Sequence, residues 1–143
     1  MNNKDRQSAF FKAMMTGLFI GVMDTIICLA YNIGYRSETG YIPSEIVNVS
    51  SLIFAINLLL TIIGIVYFFF LRYIRGADVA YSIVFLALTV WLALKTFSSV
   101  RFGDAHLDSG WHGLMGGIVL ICGISATCLP LLYRSDKFQD AVI

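Results

Sequence analysis

The sequence predicts an all-α membrane protein, a four-transmembrane-helix bundle with both termini cytoplasmic. Three observations predict it. Of the 143 residues, 58% are hydrophobic and 13% charged, against about 25% charge in an average soluble domain, and mean hydropathy is +0.79. The charges are gathered into short clusters that leave four apolar runs, roughly 11–33, 46–71, 79–100 and 111–133, each able to supply the ~20 helical residues that cross a hydrocarbon core. Finally, Lys and Arg segregate by side. Lys4, Arg6 and Lys12 precede the first run, Arg72 and Arg75 join the second to the third, and Arg134 and Lys137 follow the fourth. Only Arg36, Lys95 and Arg101 fall on the other side. The positive-inside rule makes the first group cytoplasmic, and four crossings return the chain to its starting side.

Strand-type alternation is missing from all four runs, which excludes a membrane barrel. A net charge of +1 offers no field for nucleic acid. The expected setting is the cell (inner or plasma) membrane, with the whole chain as one multi-pass domain. The expected partners are the lipid bilayer and another membrane protein or a second copy of the chain.

Span one has a sharply divided surface. At helical spacing one face reads Ala13, Gly17, Gly21, Asp24 with Thr25, Cys28 and Asn32, all small or polar, while Leu18, Phe19, Ile20, Val22, Ile26, Ile27 and Leu29 surround it. Such a face packs closely on neighbouring helices. The run is too long for a signal-peptide core and has no cleavage site, so it is expected to stay attached. Gly40 and Pro43 mark turns in the first outer loop. Ser44 is the expected cap of span two, with Glu45 in its first turn. Asn48, Val49 and Ser50 form a glycosylation triplet too close to the membrane surface to carry a glycan.

Span two holds Asn57 near mid-depth, then Thr61 and Gly64, and ends in aromatic residues beside Arg72 and Arg75, an arrangement that anchors a helix at the headgroups. The loop to span three is so short that the two spans must be antiparallel neighbours, and Asp78 is its expected N-cap. Span three carries Thr89, Trp91 and Lys95. The segment 101–110 reads as a polar outer loop, with Asp108 or Ser109 capping span four. Span four is rich in small residues (Gly113, Gly116, Gly117, Gly123, Ser125), and Pro130 comes only in its last turn. The polar tail, 135–143, is expected to be ordered only if it docks.

Asp24 is the residue most able to carry chemistry. An unpaired charge at mid-bilayer costs at least ~2.5–3.5 kcal/mol, so Asp24 must be protonated or find a partner. Lys95 is the candidate: spans one and three run in the same direction, and helical side chains lean toward their own N-terminus. The rival placement for Lys95 is over Trp91 or outward to the headgroups. Asp24, Asn57, Thr89 and Cys122 are expected at one depth as a polar layer. That layer is either an interhelical hydrogen-bond network, worth ~0.6–2 kcal/mol per contact, or a proton or cation site.

Ala13, Gly17 and Gly21 form one packing surface and Gly113 and Gly117 another. They lie at different depths and cannot complement each other, so at least one faces another part of the bundle or another subunit. Asp104, His106, Asp108 and His112 have the ligand types of a transition-metal site, but their spacing matches no strong motif, and no metal or other cofactor is assigned. Haem is excluded because both histidines lie at the outer end. Cys28, Cys122 and Cys128 are odd in number and lack a CxxC, so they read as small buried hydrophobes. No catalytic residue is assigned, because neither a phosphate loop nor a supported nucleophile set is present. The expected role is therefore a non-catalytic accessory or assembly subunit, or a homo-oligomeric bundle. The alternative is an ion- or proton-coupled small transporter or channel using Asp24.

Overall fold

Inside a bilayer core no water can bond the backbone, so each apolar run must satisfy its own N–H and C=O groups as helix. The computed structural model describes residues 3–42, 48–100 and 103–142. Among them are α1 (Asn3–Thr39), α2 (Val49–Tyr73), α3 (Ala77–Ser98), α4 (Ala105–Arg134) and a short α5 (Asp136–Val142). The first four are long and apolar enough to span a membrane. Their outer faces are exposed and apolar, as at Phe54, Leu58 and Ile62 on α2 and Ile83, Leu86 and Val90 on α3.

Several helix ends differ from those expected, because hydropathy marks the apolar core while the hydrogen-bond ladder continues until a cap stops it. The helix α1 runs past both ends of 11–33 and stops at Gly40, whose φ of 66° is left-handed. Pro43, Ser44, Glu45 and Arg101 lie outside the described residues. The cap of α2 is Asn48, not Ser44. Its side chain accepts from the Ser51 N–H at 2.8 Å while the Ser51 hydroxyl accepts from the Asn48 N–H at 3.1 Å, a reciprocal capping box. The helix α3 begins at Ala77 behind Gly76, whose φ of 75° turns the chain. Asp78 therefore sits inside the first turn and is not the cap. Asp104 caps α4, accepting from the N–H groups of His106 at 2.9 Å and Leu107 at 3.4 Å. The stretch 105–110 is thus helix where a loop was expected, and neither Asp108 nor Ser109 is the cap.

The helices are ordered α2, α1, α4, α3 around the bundle, and each of these neighbours is antiparallel. The α1–α2 seam is backbone against backbone. A Cβ on Gly17 would lie 2.4 Å from the Leu60 carbonyl oxygen and 2.9 Å from the Gly64 Cα, and one on Gly64 would lie 2.5 Å from the Ala13 oxygen. The α1–α4 seam is rings against glycines: Tyr31 covers Gly117 and Tyr35 covers Gly113, and their hydroxyls donate to the carbonyls of Gly113 at 2.8 Å and Gly110 at 3.1 Å. Both small-residue surfaces are therefore filled within the chain. The helices α2 and α3 meet near Gly76, where Tyr81 lies 4.9 Å from Tyr67 and 5.6 Å from Phe70. Above that point they part, and α1 and α3 sit on the diagonal.

Two local arrangements satisfy polar groups that apolar surroundings would penalise. Thr16, Thr25, Thr61, Thr89 and Thr127 each donate to the carbonyl four residues back, which keeps their hydroxyls bonded in the absence of water. Pro130 has no N–H, so it leaves the Ala126 carbonyl without its helical donor. Tyr81, fully buried, fills the vacancy: its hydroxyl donates to the Ala126 oxygen at 2.9 Å. One residue on, Ser82 donates to Thr127 O at 3.3 Å.

The end that carries both termini is latched by a second cluster. Asp78 accepts from the Tyr67 hydroxyl at 2.5 Å and is ion-paired with Arg134. The Lys12 ammonium lies 4.6 Å from the Tyr133 ring centre. The tail docks as α5, with Phe138 edge-on to Phe19 at 4.9 Å and Gln139 donating to the Tyr133 carbonyl.

Candidate intramembrane polar site

Asp24 and Cys28 are one turn apart on α1, and Cys122 and Ser125 are one turn apart on α4. Since the two helices are antiparallel, climbing one turn on α1 matches descending one on α4. Asp24 accordingly meets Ser125, whose hydroxyl donates to Oδ1 at 2.6 Å. Cys28 meets Cys122, with sulfurs 4.0 Å apart. The Cys122 thiol also lies beside the Asp24 carboxyl group. Asp24 is 1% exposed, and its Oδ2 is buried with no hydrogen-bond partner.

The remaining members of the expected polar layer are present at the seams but do not all touch Asp24. Asn57 donates to the Thr25 hydroxyl at 2.7 Å and to Ile53 O at 2.9 Å, tying α2 to α1. Thr89 packs against the backbone of Gly123, where a Cβ would fall 2.3 Å from its hydroxyl oxygen. Lys95 is not in the layer. It is exposed, with its ammonium 6.0 Å from the Trp91 ring centre. The reason is twofold: α4 stands between α3 and α1, and Lys95, two residues before the Phe97 that covers Gly116, lies outward of the Ser125 level where Asp24 sits. Ser125, Thr25 and Cys28 do the joining instead. A signal for Ser125 was available, because a buried acid needs a donor and the small-residue face of α4 offers a hydroxyl at that depth.

The outer-end candidates are separated. The Asp104 carboxyl group is used as a cap, His106 is exposed, Asp108 is buried, and His112 Nε2 lies 2.5 Å from the Ser99 carbonyl. Among the described residues no three His, Cys, Asp or Glu side chains converge on a point that could hold a metal.

Comparison with protein-family models, with curated proteins and with solved structures returns no match for this chain. The fold and site still define a class. This is an all-helical protein among its described residues, with four helices long and apolar enough to cross a membrane and a carboxyl group enclosed between the first and fourth of them.

Proposed function

We propose that the protein is a small ion- or proton-coupled transporter or channel of the cell membrane, its termini cytoplasmic, with Asp24 as the titrating group. The observation that carries this reading is the unpartnered Oδ2 of a carboxyl group 1% exposed. A carboxyl group kept at mid-bilayer with one oxygen unbonded has the acceptor capacity to take up a proton or a small cation. Ser125 holds the other oxygen and fixes the group at the α1–α4 seam. That seam is closed by side chains, with Tyr31 and Tyr35 over glycines of α4, whereas the α1–α2 seam is backbone on backbone.

The reading as an accessory subunit or homo-oligomer has lost its main support. It rested on the stripe of span one, the glycines of span four and the lack of soluble domains, and both small-residue surfaces are covered by α2 and by Tyr31 and Tyr35 of the same chain. The test of the carrier reading is proton and cation flux into proteoliposomes. Asp24→Asn should abolish it while the thermal unfolding profile in detergent stays close to that of the parent. Undiminished flux in Asp24→Asn would overturn the reading, as would a parent protein that moves neither protons nor alkali cations.

A further inference from the structure

Carriage of a cation by Asp24 leaves the two thiols at the same seam unexplained. Cys28 is fully buried on α1, and Cys122, 8% exposed, faces it from α4 at 4.0 Å between sulfurs. Both are reduced. Closing that gap to the ~2.05 Å of a disulfide asks for side-chain rotation on two helices already in contact.

Cys122 has a second neighbour. Where α2 and α3 part above their turn, a cavity of about 130 Å³ remains, walled by Leu59, Ile63, Phe85, Leu88 and Leu92, with Cys122 in its lining. Leu59, Leu88 and Leu92 are themselves exposed on the lipid-facing side, so the cavity is reached from the bilayer. Cys28 does not line it. The thiol pair thus has an outer member facing an apolar recess and an inner member behind it, with Asp24 beside the outer one.

We propose that Cys28 and Cys122 are a redox-active dithiol, oxidised to a disulfide by a lipid-soluble quinone that enters between α2 and α3. The site selects the oxidant by solubility and stoichiometry: it admits an apolar molecule from the bilayer, and two thiols release two electrons and two protons, which a quinone takes up to become a quinol. The Asp24 carboxylate accepts the Cys122 proton. The thiolate adds to the quinone ring, Cys28 sulfur then attacks Cys122 sulfur, the S–S bond forms, and the C–S bond breaks with its electron pair passing to the quinone. The Cys28 proton and the one held by Asp24 complete the quinol. The reactive species is the thiolate, which is why an acceptor beside Cys122 matters.

This goes beyond the carrier reading and shares only Asp24 with it. The test uses the purified full chain in lipid nanodiscs without oxygen, with a short-chain benzoquinone analogue as probe. Free thiols are counted by alkylation after unfolding, quinol is followed by absorbance, and the cross-link is mapped by peptide mass. The three thiols should fall to one, with one quinol formed per disulfide and the Cys28 and Cys122 peptides joined. Cys128→Ser should react like the parent. Asp24→Asn should slow the reaction on the order of a hundredfold, the size of a typical general-base contribution. Unchanged thiols in the parent protein would overturn the proposal whatever the variants do, and so would a cross-link through Cys128. Flux is measured on the reduced parent in proteoliposomes without quinone, so failure of the redox reaction and failure of the carrier reading are read separately.

Discussion

Tyr81→Phe isolates one hydrogen bond in a setting where its worth can be worked out. The ring stays: it stacks on Phe85 at 4.3 Å and meets Tyr67 and Phe70 by its edges. What is lost is the only donor shown for the Ala126 carbonyl, since Pro130 provides none. A buried acceptor left unbonded costs ~1–3 kcal/mol, whereas hydrogen bonds between membrane helices average only ~0.6 kcal/mol. The low average arises because a freed group usually finds another partner. Here the proline removes the nearest one, so the expected loss is about 1.5 kcal/mol, near the top of the membrane range. Pro130→Ala restores an N–H at the right place, and in that background Tyr81→Phe should cost less than about 0.5 kcal/mol, comparable with an ordinary membrane hydrogen bond. Reversible unfolding in mixed detergent micelles, run as a double-mutant cycle, measures both. Equal costs in the two backgrounds would refute the argument.

The same unfolding assay checks four further expectations. Gly17→Ala should destabilise by about 1–3 kcal/mol as an overpacked seam, because the atoms its Cβ meets are backbone of α2. Gly34→Ala, with nothing within 4 Å of its Cβ, should instead stabilise α1 by about 0.5–1 kcal/mol through lower chain entropy. Lys95→Met should change stability by less than about 0.5 kcal/mol, as befits an exposed side chain; a loss of ~3–5 kcal/mol would mean a buried ion pair had been broken. Asp78→Asn should cost about 1–2 kcal/mol, from the loss of a charged acceptor for Tyr67 and of the Arg134 pair, with a smaller loss in high salt, where the exposed Arg134 side chain is already screened.

Hydropathy made the four spans legible, and helical spacing correctly put Ala13, Gly17 and Gly21 on one packing face. Of the expected polar layer, Asn57 meets Thr25, Thr89 meets Gly123 and Cys122 meets Cys28. What hydropathy cannot carry is which helix stands beside which. Lys95 misses Asp24 partly for that reason, since four antiparallel spans can be ordered around a bundle in more than one way, and partly because its register on α4 lies outward of Ser125. Glycines proved ambiguous in a physical sense. Gly17 and Gly64 admit a backbone, while Gly113 and Gly117 admit tyrosine rings, and the sequence pattern is the same for both. Pro130 held a readable signal in the carbonyl four residues back, which requires a donor that Tyr81, at the facing depth of span three, supplies. Caps were missed where a left-handed glycine or an earlier acid stopped the ladder first, as at Gly76 and Asp104.

The unequal seams divide the molecule mechanically. The pair α1 and α2 is locked by interpenetrating backbones, and α4 is pinned to α1 by rings seated in glycine notches. The third long helix is notched into α4 in the same way, by Phe97 over Gly116 and Thr89 over Gly123, and meets α2 beside the Gly76 turn. A force or a fluctuation applied to this protein therefore finds its compliance where α2 and α3 part: that cleft widens first, while the notched and backbone-locked seams hold.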